Sequence, residues 1–164
     1  MDNPLGTYLR DHLSGADFAI DVLAAMGGRH PQEQVQQFVE PLLAEFEVDR
    51  STLREIAERV GSGRSSLKEV AAWLGEKASR AKIGSSCATS FAEFEALELL
   101  ALGILGKMAL WRTLQVLCET DSRLGAIDLQ TLLSRASAQF ERVEARRIGV
   151  SVSAFAPKKA DENS

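Results

Sequence analysis

The most hydrophobic stretch of the chain, residues 91–118, predicts a long central helix. It reads FAEFEALELLALGILGKMALWRTLQVLC, and its second half is apolar on nearly every side. A helix of this kind is normally surrounded by other helices. We therefore expect a helix at 91–119 to be the most buried element, with Leu102 and Leu105 in the core. From residue 96 onward this stretch contains only three charged residues: Glu98, Lys107 and Arg112.

A transmembrane span of similar length is the alternative interpretation of this stretch. Three charges and Gln115 would lie within about 20 residues, the length of a membrane-spanning helix. Charged side chains are costly inside the hydrocarbon layer. We therefore expect no membrane span and no membrane partner.

Apolar residues at spacings of three and four predict four further helices. These are placed at 4–26, 31–60, 65–83 and 128–149. The first should end at Gly27, and Pro41 predicts a kink or short break near Glu40 in the second. Asn3 and Asp128 are suited to begin their helices, and Ser90 with Glu93 resembles a capping box for the central helix.

The order of these helices predicts an all-α fold, an antiparallel four-helix bundle with an additional helix in its long connection. The helices 4–26 and 31–60 form one hairpin, and 91–119 and 128–149 form the other. The helix 65–83 lies between the two hairpins. We expect a single domain over residues 1–156, followed by a flexible tail at 157–164 that has nothing to bury.

Composition narrows the class of protein further. The chain has 164 residues, of which 45% are hydrophobic and 26% charged, with a formal net charge of −4. This is ordinary globular composition, and the acidic balance argues against nonspecific binding of nucleic acid. The two cysteines, Cys87 and Cys118, form no metal-binding or disulfide pattern, and no signal peptide is evident. We therefore expect a cytoplasmic protein.

Five segments carry a resemblance to a known superfamily. They are TYLRDHLSGADFAIDVL, LLAEFEVDRSTLREIAERVG, AAWLGEKASRAKIG, LELLALGILGKMALWRTL and QFERVEARRI. Together they resemble uncharacterised bacterial helical proteins of the ferritin-like superfamily over about residues 5–149. The likeness lies in the arrangement of the helices and the general character of their sequences. It implies a ferritin-like bundle.

The di-iron members of that superfamily use carboxylates and two Glu-x-x-His motifs. This chain departs from that pattern, because its two histidines, His12 and His30, follow Leu9 and Gly27 by three residues. We therefore predict no cofactor. A different metal site would draw on His12, Glu45, Asp49 and Glu98. The alternative is structural, a core histidine bonded to a carboxylate that fixes the register of two helices.

Lys107 is the polar residue of the central helix that most needs an explanation. A lysine in so apolar a helix requires a carboxylate partner or a route to solvent. Trp111, four residues later, is placed to stack against its ammonium group. Gly103 and Gly106 on the same helix indicate tight helix packing, with a ligand pocket as the alternative.

No catalytic motif is present in the sequence, which has no Ser-His-Asp arrangement, phosphate loop or zinc spacing. We therefore expect a noncatalytic helical bundle that acts through self-association or partner binding. Trp73, on the short helix 65–83, is the candidate interface residue of a homodimer. The alternative function is a divergent ferritin-like protein that holds a metal or small ligand between its helices.

Overall fold

A computed structural model describes residues 3–29, 33–61, 89–125 and 127–157. Within these ranges all regular secondary structure is helical, which confirms the predicted fold class at that level. The elements are α1 (Pro4–Arg29), α2 (Glu33–Val60), α3 (Ser90–Leu117), a short 3₁₀ helix (Ser122–Leu124) and α4 (Leu129–Ala154). The predicted helix 65–83 with Trp73, the cysteine Cys87, and the tail after residue 157 lie outside the described residues.

The directions of the four helices follow from contacts at their ends. At one end, the side-chain amide of Asn3 donates to the carbonyl oxygen of Val60 at 3.3 Å, and Arg123 donates to the same oxygen at 2.9 Å. At the other end, the guanidinium of Arg146 lies over the ring of Phe38, 4.9 Å from its centre. Thus α1 and α4 run antiparallel to α2 and α3. The C-terminus of α2 and the N-terminus of α3 therefore lie at opposite ends of the helix bundle.

Polar side chains begin the helices largely as predicted. Asn3 accepts from the first turn of α1, and Asp128 accepts from the backbone of Thr131 at 3.0 Å at the start of α4. The start of α3 differs by one residue. Thr89 rather than Ser90 is the cap, because its hydroxyl accepts from a backbone N–H three residues later, at 3.2 Å.

Two helices continue past the ends at 26 and 149. The first continues through Gly27 to Arg29, and α4 continues to Ala154, so residues 150–154 extend this helix, one of two outcomes that the sequence leaves open, the other being an irregular strand. A side chain on Gly27 would place its Cβ 3.0 Å from a methyl carbon of Val39, so this glycine allows α1 and α2 to approach closely instead of ending the helix. The helix α2 is continuous through Pro41, without the short break that was one of the two predicted outcomes.

The core is one cluster to which all four helices contribute, and α3 supplies more buried residues than any other described helix. However, Leu102 and Leu105 are 56% and 46% exposed, so their predicted place in the core was wrong. The helix α3 packs against α1 and α4, and these two residues lie on its remaining face. In the part of the chain that the structure describes, no helix is long and apolar enough to cross a membrane.

Candidate functional site

A cavity of about 370 Å³ lies between α1, α2 and α3. Most of its lining is apolar, and its polar wall is formed by Tyr8, Asp11, His12, Asp49, Arg50 and Lys107. Cavities of this size are typical of small-molecule sites. The apolar lining residues include Ala16, Ala19, Phe46, Leu53, Leu110 and Trp111.

Three glycines keep this cavity open. Gly15 on α1 and Gly103 and Gly106 on α3 all line it. A Cβ added at any of the three would have no neighbouring heavy atom within 4 Å. Tight packing at Gly103 and Gly106 was therefore the wrong prediction, because a Cβ at either position would contact no neighbouring helix among the described residues. The space that their missing side chains leave belongs to the cavity.

The polar wall of the cavity is centred on an ion pair between two helices. The ammonium nitrogen of Lys107 on α3 donates to Oδ2 of Asp49 on α2 at 2.6 Å. The two side chains are only 14% and 4% exposed. The ammonium also lies over the ring of Phe46, 4.0 Å from its centre. Phe46 takes the stacking position predicted for Trp111, because it lies one helical turn from Asp49 and the ammonium is held there.

Gln139 on α4 completes the contacts of this pair. It is fully buried, and its amide oxygen accepts from Lys107 at 2.5 Å. Its amide nitrogen donates to Asp49 at 3.2 Å and to Glu45 at 3.0 Å. Both ends of the buried amide are therefore satisfied, which removes the cost of burying it.

Two arginines of α4 neutralise the carboxylates from the outer side. Arg135 donates to Oδ1 of Asp49 at 2.8 Å, and Arg142 donates to Glu45 at 2.5 Å. Burial alone would raise the pKa of Glu45, but hydrogen bonds from Arg142 and Gln139 outweigh it and hold that pKa below its ordinary value. The carboxyl of Glu45 thus remains ionised beside Arg142.

Lys107 has one donor position left after these contacts. An ammonium group has three N–H donors, and two of them are used by Asp49 and Gln139. Burial lowers the pKa of Lys107, and the charge of Asp49 offsets this in part. The third N–H has no hydrogen-bond acceptor among the described residues, and the ring of Phe46 lies 4.0 Å from the nitrogen.

His12 lies on the α1 side of the same cavity. Its ring contacts the edge of Tyr8, with 4.6 Å between the ring centres. Burial lowers the pKa of His12, while the nearby charge of Asp11 raises it in part. The imidazole is therefore neutral at physiological pH, and it presents one donor and one acceptor.

The four candidate metal ligands do not form one cluster. His12 and Asp49 line the cavity, and Glu45 is joined to Asp49 through Gln139. Glu98 is elsewhere, with a side chain that is 53% exposed and 3.5 Å from Arg147. Among the described residues, no group of three or more His, Cys, Asp or Glu side chains is arranged to hold a metal ion.

Trp111 lies at the base of the cavity and is fully buried. Its indole N–H has no hydrogen-bond partner among the described residues. A buried donor without an acceptor is unfavourable. The residue thus contributes apolar surface to the site while leaving one polar group unsatisfied.

Comparison with known proteins gives no further guide to the site. No protein-family model, curated protein or solved structure matches the chain.

Sequence reasoning missed the three residues of α4 that surround the ion pair: Gln139, Arg135 and Arg142. A signal for Gln139 was present, because it falls between Ala136 and Val143 at helical spacing in the apolar stripe of α4. A polar residue at such a position needs a buried partner. Arg135 carries no comparable signal, since an arginine beside a stripe is typical of any solvated helix face.

Proposed function

We propose that this protein binds a small, mostly apolar molecule in the cavity between α1, α2 and α3. The observation that carries the proposal is the open volume of about 370 Å³ beside a buried ammonium group. The cavity is a cleft partly open to solvent, and clefts of this size with a mostly apolar lining are typical of small-molecule sites. A space of this size, kept open by three glycines, is better explained by a ligand than by packing.

The lining indicates the chemical class of the ligand. Apolar side chains cover most of the cavity, so the ligand needs an apolar body whose burial supplies most of the affinity. The remaining N–H of Lys107 calls for one hydrogen-bond acceptor, such as a carbonyl or carboxylate oxygen. A charged donor makes a stronger hydrogen bond than a neutral one. The acceptor would therefore fix the orientation of the ligand.

Binding is favoured over catalysis by the state of Lys107. Its ammonium donates to both Asp49 and Gln139, and the Asp49 contact favours the protonated form against the burial that lowers its pKa. A protonated amine cannot act as a nucleophile. The polar contacts of Lys107 are therefore better suited to orienting a ligand than to catalysing a reaction of that ligand.

We also propose that the chain is a divergent ferritin-like four-helix bundle. The directions of the helices support this proposal. Neighbouring helices are antiparallel, and the C-terminus of α2 lies at the opposite end of the bundle from the N-terminus of α3. Ferritin-like bundles have one long crossover connection between their hairpins. In this proposal the space that di-iron relatives give to metal ligands is used here for an apolar ligand.

Titration calorimetry with a fixed probe tests the ligand site. Methyl β-naphthyl ketone has an apolar body and one acceptor oxygen, and it should bind wild-type protein with one molecule per chain. Gly106→Leu places a side chain in the cavity and should abolish binding. Gly149→Leu is the matched control, because Gly149 also has open space around it but lies on α4, away from the cavity.

Circular dichroism of the three proteins shows whether each is folded. Loss of binding in Gly106→Leu with retained helicity, and full binding in Gly149→Leu, would support the site. Equal binding by wild type and Gly106→Leu would place the probe elsewhere and overturn the proposal. Absence of saturable binding by wild type would overturn it as well.

A further inference from the structure

One face of α3 is exposed along most of its length and repeats at regular spacing. The spacing alternates between four and three residues, which is the pattern of a coiled-coil seam. Its large apolar members, Leu102, Leu105 and Val116, are 56%, 46% and 68% exposed. We call this face the α3 seam, and it consists of Glu98, Leu102, Leu105, Ala109, Arg112 and Val116, all of which are exposed.

We propose that the α3 seam pairs with the α3 seam of a second copy of this chain, antiparallel about a two-fold axis near Leu105. Exposed apolar rows of this kind mark interaction surfaces. A two-fold interface uses the same surface on both subunits, so that surface must be complementary to itself. The proposal is independent of ligand binding in the cavity.

The charges of the seam provide that self-complementarity. Glu98 lies seven residues before Leu105, and Arg112 lies seven residues after it. Each is therefore about 10 Å from Leu105 along the helix axis. Antiparallel pairing centred on Leu105 places Glu98 opposite Arg112 of the partner subunit, and the two-fold axis repeats this contact. Parallel pairing in register would instead place like charges opposite each other, which is unfavourable.

Within the subunit, the contacts of Glu98 and Arg112 leave both side chains free to form ion pairs with a second copy of the chain. Arg112 has no ion-pair partner in the part of the chain that the structure describes. Glu98 is 3.5 Å from Arg147, and that arginine has a closer partner in Glu144 at 2.7 Å. Pairing of the seams would thus add a partner for each charge without breaking a close ion pair.

Charge reversal in sedimentation experiments tests the pairing. Wild-type protein at about 50 µM, a concentration that populates even micromolar complexes, should sediment as a dimer. Glu98→Arg and Arg112→Glu should each weaken the dimer by about tenfold or more, because each places like charges across the interface. An equimolar mixture of these two variants should form a dimer again, since both charge pairs become complementary. Glu55→Arg on the exposed surface of α2 is the control and should remain a dimer.

Two further variants separate this face from the other exposed apolar side chains. Leu105→Glu should give a monomer with unchanged helicity, whereas Val152→Glu, at an 82% exposed residue of α4, should leave the dimer intact. A monomeric wild type would overturn the proposal. So would a dimer that Val152→Glu but not Leu105→Glu dissociates, or a mixture of the two charge variants that stays monomeric.

Discussion

The ammonium nitrogen of Lys107 and the carboxylate of Asp49 are 2.6 Å apart and join α3 to α2 at the wall of the cavity. The carboxylate side chain is only 4% exposed, so it depends on its partners for the stabilisation that water would otherwise provide. Lys107 and Arg135 neutralise it, and Gln139 donates to it as well. Three helices therefore converge on a single carboxylate.

Removing that carboxylate should destabilise the fold strongly. We expect Asp49→Ala to cost about 3–5 kcal/mol, because it leaves Lys107 buried without its counter-charge. Urea denaturation followed by circular dichroism measures the loss. Glu55→Ala on the exposed surface of the same helix is the control, and it should change the free energy of unfolding by less than about 0.5 kcal/mol.

The double variant Asp49→Ala with Lys107→Met checks the same account. Removing both partners eliminates the unpaired charge, so its cost should be smaller than the sum of the two single costs. Additive costs would show that the ion pair does not couple α2 to α3.

The two faces of α3 should differ sharply in their response to truncation. Leu100→Ala, at a residue that is 1% exposed, should cost about 2–5 kcal/mol, as deletions in a packed core do. Leu102→Ala should cost less than about 1 kcal/mol in the monomer, because little apolar surface is lost from the core. Denaturant midpoints at low protein concentration compare the two. A larger loss from Leu102→Ala would mean that this residue is buried within the subunit.

Glycine substitutions should separate open space from close packing. Gly103→Ala should stabilise the apo protein by about 0.5–1 kcal/mol, since alanine is the better helix former and its Cβ meets no neighbour. Gly27→Ala should gain less, because its Cβ would lie 3.0 Å from Val39. Thermal unfolding of both variants checks this order. An equal gain at both positions would show that α1 and α2 are not in close contact at Gly27.

His12 should make stability depend on pH in mildly acidic solution. Its pKa in the folded protein is lowered, chiefly by burial, from an ordinary value of about 6.5. The unfolded chain therefore takes up a proton at a higher pH than the folded chain. The contribution of His12 to stability is complete above about pH 6.5 and is lost as the pH falls through the folded pKa.

Replacing the histidine isolates this contribution. In His12→Gln, the free energy of unfolding should change less between about pH 6.5 and 5 than in wild type. The carboxyl of Glu45, whose pKa is also lowered, titrates below this window. Urea denaturation at several pH values provides the comparison. An unchanged pH dependence in the variant would show that His12 is not protected from protonation.

The helices could be predicted from the sequence because their signals are local. Periodic apolar residues and the polar residues Asn3 and Asp128 indicated helices and their starts. Gly27 was misread as a helix end, because its role depends on Val39 of a different helix. The burial of Leu102 and Leu105 was misjudged for a similar reason. The composition of α3 suggested burial on all sides, but burial depends on which neighbours the chain supplies.

The candidate site was only partly predictable. The need of Lys107 for a carboxylate partner followed from its apolar surroundings, and Asp49 was noted as a polar residue in an apolar stripe. That the two meet depends on the relative position of α2 and α3, which a single sequence does not specify. The cavity was predicted only as the alternative to tight packing at Gly103 and Gly106, since an open space depends on the relative positions of several helices.

The relative affinity of the protein for two probes of similar shape measures whether Lys107 donates a hydrogen bond to a bound ligand. Methyl β-naphthyl ketone and β-isopropylnaphthalene differ mainly in the acceptor oxygen, and calorimetry gives both dissociation constants. A hydrogen bond from Lys107 should favour the ketone by about tenfold, given the usual strength of charged hydrogen bonds. In Lys107→Met this preference for the ketone should be lost, because its buried oxygen would have no donor to replace water. The same preference for the ketone in both proteins, or no binding of either probe to wild type, would contradict the account.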